Sequence, residues 1–397
     1  MPRSLRDLVQ RLKEAKTGGA REGAYLDLDE FTPTRRDLAE IYRALRQCYP
    51  DDRSRVRSTR RDLLDKLVDI HDTTTVKFIR DLYPSLPPNR QIRQAALEVL
   101  AQINTRPALR ALCRILVAER SKPCLEDTSL FWTVLVCPQN AGVMFPELLA
   151  LLSNESLREG VYAVAAAALD GQSVMAEALR PTQGRILRDF EEANRLYKMT
   201  SPDSSAYTGA VEYLSAIVTV MKAFVDDPEL RMALQAAVGH ENAQVAFAAY
   251  RACRAVGSED ACKAIERFAA DPSTRLDLFE LLRAARQIDR FPQEWQTQES
   301  FAEADMVRWL MHPNEYGQPP QKIKLVKARI VSLQGKKGRL YIYKFTYPSN
   351  PRRWLVGVSG LQPSDPRKTV TAGPFTFSDS RTLRGCDLDE LGDLLGH

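Results

Sequence analysis

The residues best suited to chemistry in this chain lie in one segment, DMVRWLMHPNEYGQPP, residues 305–320. Trp309, His312 and Glu315 lie close together there. A histidine near a carboxylate can move protons as a general acid and base. The spacing also fits a structural role, which we favour, in which His312 lies at a helix C-terminus, Pro313 stops the helix and Gly317 forms a turn. Both interpretations stay open, and Trp309, His312 and Glu315 are candidate binding residues.

The other reactive side chains form no catalytic or metal-binding pattern. Seven cysteines are irregularly spaced without a C-x-x-C pair, and none of the four histidines has a second histidine or a cysteine at ligand spacing. No GxxxxGK[ST] loop occurs, and Ser359 in GVSGL does not form GxSxG. We therefore expect a non-enzymatic protein with no catalytic residue, metal or cofactor. Cys113 and Cys253 fall in apolar helical patterns and are expected in the core.

A basic segment near the C-terminus is the stronger candidate for binding. Residues 321–384 carry 14 Lys and Arg against two acids, whereas the whole chain has a net charge of +5 and residues 385–397 carry four acids. Lys336, Lys337 and Arg339 are predicted to lie at a hairpin tip, and Arg352 and Arg353 precede the next predicted strand. These five cations are candidate binding residues.

Aromatic residues alternate along the same segment. Tyr341, Tyr343, Phe345 and Tyr347 occupy every second position, so they should share one face of a strand. Such a row beside cations could stack with the bases of a single-stranded nucleic acid. It could instead pack against a helix, because a small sheet must bury one face. Tyr341 and Tyr343 are candidates under the first interpretation.

Cations also alternate along the first predicted strand of this segment. Lys322 with Lys324, and Lys327 with Arg329, are each two positions apart. We expect these four cations to lie on one face of the sheet.

Another basic run lies between two predicted helices. Residues 46–62 contain six arginines and three aspartates. Such a run could contact phosphates, or it could simply be solvated, and the aspartates favour the second interpretation.

Most of residues 35–311 has apolar residues at helical spacing, and two stretches match with an offset of 33 residues. The matching apolar positions are Leu64, Leu67, Ile70, Val76, Ile79 and Leu82 in the first stretch and Leu97, Leu100, Ile103, Leu109, Leu112 and Ile115 in the second. Each stretch predicts a pair of helices that must stack on a neighbouring pair to bury its apolar stripe.

The second stretch resembles a HEAT-like repeat of the short bacterial type also found in phycobilisome-lyase-like proteins. The resemblance depends on Arg93, residues 95–97, Leu100, Ile103 and residues 107–109. It implies an α-solenoid and no single function. The segment around Trp309 is similar to a WLxHPxExGxxP pattern of uncharacterised bacterial HEAT-repeat proteins in which a small β-domain follows.

From about residue 320 the apolar period changes to two, which predicts four antiparallel strands. We therefore expect a mostly α protein, an irregular HEAT-like α-solenoid followed by a small antiparallel β-rich domain. The predicted divisions are an N-terminal helix and a loop over 17–33 (together 1–34), a helical repeat domain (35–304), and a junction with a basic β-rich domain and short terminal helix (305–397).

The expected function is a protein–protein interaction scaffold or adaptor that binds a partner protein through the helical surface and the basic sheet. The alternative is a nucleic-acid-binding protein that uses residues 321–384 with the Tyr/Phe row. The N-terminus lacks the pattern of a secretory signal, and no apolar run approaches the roughly 18 residues of a membrane helix. These features predict a cytoplasmic protein without a membrane partner.

Overall fold

The computed structural model describes residues 4–15, 18–54, 57–70, 72–120, 129–202, 204–257, 264–312, 315–333, 336–347, 349–360, 362 and 375–377. These residues form seventeen α-helices followed by four strands. The expected class, mostly α with an antiparallel sheet at the C-terminal end, is confirmed. None of the described helices combines the length and apolar character needed to cross a lipid bilayer.

The helices are numbered along the chain. They are α1 (Leu5–Glu14), α2 (Gly18–Glu30), α3 (Leu38–Leu45), α4 (Thr59–Val68), α5 (Thr74–Leu82), α6 (Arg90–Ile103), α7 (Arg106–Glu119), α8 (Ser129–Leu135), α9 (Glu155–Asp170), α10 (Ala176–Leu179), α11 (Ile186–Met199), α12 (Ser205–Met221), α13 (Pro228–Ala237), α14 (Ala243–Ala255), α15 (Ile265–Ala270), α16 (Arg275–Ala284) and α17 (Gln298–Leu310). Short 3₁₀ turns lie between several of them, including Pro138–Met144 and Glu147–Ser153.

The chain divides into two compact units, residues 1–186 and 187–397. The boundary predicted at residue 305 would fall inside α17, which continues to Leu310. The three-part division proposed from the sequence stays a prediction.

In the first unit, the loop expected over residues 17–33 is wrong, because α2 occupies Gly18–Glu30. Three glycines lower the helix propensity of this segment, but Ala24, Tyr25 and Leu28 are buried on one side. An ion pair between Arg11 and Asp27 also joins α1 to α2. Tertiary packing thus overrides the local preference.

The 33-residue offset coincides with two consecutive helix pairs. The first pair is α4 and α5 and the second is α6 and α7; α4 packs on α6 and α5 packs on α7. Ten of the twelve matching apolar side chains are buried, and Ile70 and Ile115 are half-buried. This packing is what stacked helix pairs require. Membership of a repeat family stays a prediction.

In the second unit, a buried arginine joins three consecutive segments. Arg275 of α16 is 1% exposed; its Nε donates to the carbonyl of Ala269 at 2.6 Å and its Nη1 donates to the carbonyl of Ser300 at 2.7 Å. Nη1 also lies 2.9 Å from Oε2 of Glu303 on α17, and the guanidinium stacks over Trp295. Hydrogen bonds to the guanidinium compensate for burying its charge, and they fix α17 next to α16.

The four strands form one antiparallel sheet in sequence order. They are β1 (Lys322–Leu333), β2 (Lys336–Tyr347), β3 (Asn350–Val358) and β4 (Phe375–Phe377). Each predicted strand coincides with one of them. The predicted terminal helix lies outside the described residues.

Candidate binding surface on the C-terminal sheet

Helix α17 covers one face of the sheet with small and flexible side chains. Ala302, Met306 and Leu310 recur every four residues and form a buried cluster with the aromatic row of β2. Gly357 of β3 lets Met306 approach, since a Cβ at this position would lie 3.1 Å from Sδ of Met306 and 3.2 Å from Phe345.

The aromatic row is therefore a packing surface. Tyr341, Tyr343, Phe345 and Tyr347 are all nearly fully buried in the cluster. The Tyr343 hydroxyl donates to the carbonyl of Glu299 on α17 at 3.0 Å, and burial raises the pKa values of Tyr343 and Tyr347. These rings are not accessible to nucleic-acid bases, so the stacking interpretation is wrong and the packing interpretation is right.

The segment after α17 is a helix-ending turn. Glu315 and Gly317 donate their backbone N–H groups to the carbonyl of His312 at 2.9 and 3.2 Å. Gly317 has φ of +69°, which glycine adopts without strain. Tyr316 stacks on Tyr347 with ring centroids 4.2 Å apart. These contacts join the turn to the sheet, as the structural interpretation of the segment predicts.

The three candidates of this segment lie in different environments. His312 is exposed, Glu315 is half-buried, and Trp309 packs partly into the aromatic cluster. Burial raises the pKa of Tyr316; Glu315 raises it further and Arg353 lowers it. The positive charge of Arg353 is therefore close enough to this turn to influence Tyr316. A binding role for Trp309, His312, Glu315 and Arg353 stays a prediction.

The opposite face of β1 carries the four predicted cations. Lys322 and Lys324 lie opposite Thr346 and Lys344 of β2, and Lys327 and Arg329 lie opposite Ile342 and Leu340. All these β2 positions are even-numbered, so they point away from the odd-numbered aromatic row. The four cations therefore share a face, as expected, but simple alternation along β1 is not the reason.

A β-bulge produces this arrangement. Strict alternation would put Lys322 and Lys324 on one face and Lys327 and Arg329 on the other. The register shifts between Leu325 and Lys327, so Val326 is the extra residue. The bulge shifts the alternation of side chains by one residue, so both pairs of cations lie on the same face of the sheet. Sequence spacing alone did not reveal it.

We call Lys322, Lys324, Lys327, Arg329 and Lys344 the basic strip. The four β1 residues are exposed and Lys344 is half-buried. Lys324 lies directly opposite Lys344, an unfavourable pairing of like charges. Lys344 Nζ lies 4.8 Å from the ring centre of Trp354, which is 38% exposed. Sequence analysis did not identify Lys344 and Trp354 as members of this surface. The signal was available, because both have even numbers and therefore alternate with the odd-numbered aromatic row.

The remaining candidate cations lie elsewhere. Lys336 to Arg339 belong to β2, and Leu333 pairs with Lys336. The expected hairpin tip is therefore wrong, because Lys336, Lys337 and Arg339 all pair with residues of β1. Arg339 is exposed and lies opposite Ile330, on the α17 side. Arg352 is exposed near the start of β3.

Two arginines of the basic run at residues 46–62 have a structural role in the first unit. Arg57 pairs with Asp62 at 2.7 Å and with Asp29 at 2.5 Å. Arg60 is buried and donates to the carbonyl of Gln47 at 2.9 Å. Arg57 and Arg60 therefore satisfy groups of their own unit rather than forming a free cationic surface.

An open groove of about 1200 Å³ lies beside this run. Its walls are formed by residues of 49–53 and 87–91. Asn89 joins the walls by donating to the carbonyls of Asp52 and Ser54 at 3.0 and 2.9 Å. Because Arg53 and Arg90 lie there with the carboxylate of Asp52 and three prolines, no single ligand chemistry is favoured.

Among the described residues, no group of three or more His, Cys, Asp or Glu side chains could hold a metal ion. The site is thus a charged surface of a mostly α protein with a C-terminal sheet. No family model, curated protein or solved structure matches this chain. Its function is therefore inferred from its own residues.

Proposed function

We propose that this chain is a non-enzymatic binding protein that holds an acidic partner protein on its C-terminal sheet. The observation that carries this proposal is the basic strip, in which a bulge aligns four exposed cations of β1 beside Lys344. Placing Lys324 opposite Lys344 costs stability. A bound anionic partner would remove this cost, and its charge would also increase the rate of association.

The helices have a supporting role in this proposal. Stacking of α4 and α5 on α6 and α7 supports a HEAT-like scaffold of the type expected from the sequence, which would offer the partner a further extended surface. The exposed free thiols Cys48 and Cys137 are compatible with a reducing compartment, which supports the expected cytoplasmic location.

The proposal is tested with the full chain and poly-glutamate as the acidic protein probe. Replacing Lys322, Lys324 and Lys327 with Glu should weaken binding at low salt by about tenfold or more. The matched control replaces the exposed Lys13, Lys77 and Lys198, and thus makes the same change in net charge at other positions. Equal affinities of the two variants, or no binding by the parent chain, would exclude the basic strip as the binding surface.

A nucleic-acid partner is the second candidate, and Trp354 is the observation that favours it. An exposed indole beside a lysine on a sheet offers one stacking position for a base. If this candidate is right, a single-stranded oligonucleotide should bind more tightly than poly-glutamate, and affinity should fall steeply with salt. Trp354→Ala should then weaken oligonucleotide binding and leave poly-glutamate binding unchanged.

A further inference from the structure

The outer edge of the sheet is a long exposed strand. β1 has 12 residues and is the terminal strand in the sheet order. From Lys324 to Ile330 every side chain is exposed. Within the described part of the chain no strand pairs with the outer side of β1, and the backbone N–H and C=O groups of such an edge can accept a further strand.

The two faces of this edge differ in chemistry. Leu325 and Ile330 lie opposite Tyr343 and Arg339, on the α17 side, and are 37% and 61% exposed. Val326, at the bulge, is 39% exposed. The other face carries the β1 cations of the basic strip. An added strand would therefore place alternate side chains against an apolar row and a cationic row.

The cations also determine which strands are disfavoured. A second copy of β1 would bring lysines opposite lysines, and charges of this kind protect edge strands from self-association. Protection alone would not require the exposed Leu325 and Ile330. A strand that alternates acidic and apolar residues complements both rows.

We propose that β1 is a docking edge for an extended segment of a partner protein, in which Asp or Glu alternates with Val, Ile or Leu. The segment adds a fifth strand to the sheet. Its carboxylates face Lys322, Lys324, Lys327 and Arg329, and its apolar side chains cover Leu325 and Ile330. This inference rests on the proposed function and specifies the form in which the acidic partner binds.

The test uses the full chain and a synthetic peptide of about nine residues that alternates Glu and Val, a typical strand length. Two control peptides keep its composition. One groups the Glu and Val residues in separate blocks, and the other is methylated on every backbone nitrogen, which removes the N–H donors but keeps the charges. The alternating peptide should bind about tenfold more tightly than either control. It should also slow the hydrogen exchange of β1 amides.

Variants separate the two rows. Lys324→Glu with Lys327→Glu should weaken peptide binding by about tenfold. Leu325→Ser with Ile330→Ser should weaken peptide binding while poly-glutamate binding stays unchanged, because the basic strip is intact. Equal binding of the methylated and unmethylated peptides would overturn strand addition but leave the proposed function standing. Failure of the parent chain to bind poly-glutamate would overturn both the strand addition and the proposed function.

Two further outcomes would assign the edge to another occupant and overturn the proposal. Concentration-dependent dimerisation that is abolished by Leu325→Ser with Ile330→Ser would assign it to a second copy. Peptide binding that occurs only after deletion of residues 385–397, which carry four acids, would assign it to this chain's own acidic segment.

Discussion

A partly buried acidic side chain makes the stability of this protein depend on pH. Asp305 of α17 is an example, because burial raises the pKa of its carboxyl to about 6 while Arg308 lowers it. Its Oδ2 has no hydrogen-bond partner among the described residues. An aspartate in an unfolded chain has a pKa of about 3.9. Between these values the folded state binds the proton more tightly, so the contribution of Asp305 to stability falls as the pH rises.

Asp305→Asn should therefore stabilise the protein more at pH 7.5 than at pH 4.5, because the amide does not ionise. The difference should be about 2 kcal/mol, measured by urea unfolding at both pH values. Asp289→Asn, at an exposed position of the same unit, controls for loss of a surface charge. A larger gain for Asp305→Asn at the lower pH would show that its carboxylate is the form favoured by the fold.

At the scale of elements, α17 and the sheet depend on a close approach at Gly357. A Cβ there would collide with Met306, which is fully buried between the helix and the sheet. Gly357→Ala should cost about 1–3 kcal/mol, the usual range for an overpacked core. Thermal unfolding measures the change.

Gly23→Ala is the matched control for this substitution. No atom lies within 4 Å of the added Cβ in the middle of α2, so alanine should leave stability unchanged or raise it by about 0.5–1 kcal/mol. If the two variants lost the same amount of stability, the contact with Met306 would not be the reason that position 357 requires glycine.

Elements were more predictable from the sequence than their contacts. Period-two alternation correctly identified the strands. Thr34 and Asp37 also have the spacing of a capping box, and the structure has one there, in which the Thr34 N–H donates to Asp37 at 2.8 Å. Helix α2 was missed because its stability comes from packing on α1 rather than from its glycine-rich sequence. The bulge at Val326 was missed because the residue is chemically ordinary, and only strand pairing shows that it is extra.

At the scale of the whole molecule, each of the two units contains a buried thiol whose reactivity can be used to measure the unfolding of that unit. Burial raises the pKa of Cys113 in the first unit to about 12 and that of Cys253 in the second to about 11. Both cysteines are buried, as the apolar helical pattern predicts, whereas Cys48 and Cys137 are exposed. Alkylation requires an accessible thiolate.

We expect iodoacetamide to modify Cys48 and Cys137 in the folded protein and to leave Cys113 and Cys253 unmodified until their own unit opens. Peptide mapping by mass spectrometry against urea concentration gives a separate opening free energy for each unit. Rapid modification of Cys113 or Cys253 without urea would contradict the packing around that residue.

The bulge in β1 has a consequence for how this protein can change over generations. Deleting Val326 would remove one uncharged residue and leave net charge and isoelectric point unaltered. Because Leu325 and Lys327 would then be consecutive, every β1 residue would keep its β2 partner, and the four cations would stay on one face by simple alternation. A single in-frame codon loss would thus convert the bulged edge strand into a regular one without dividing the basic strip, a change invisible to any comparison of net charge.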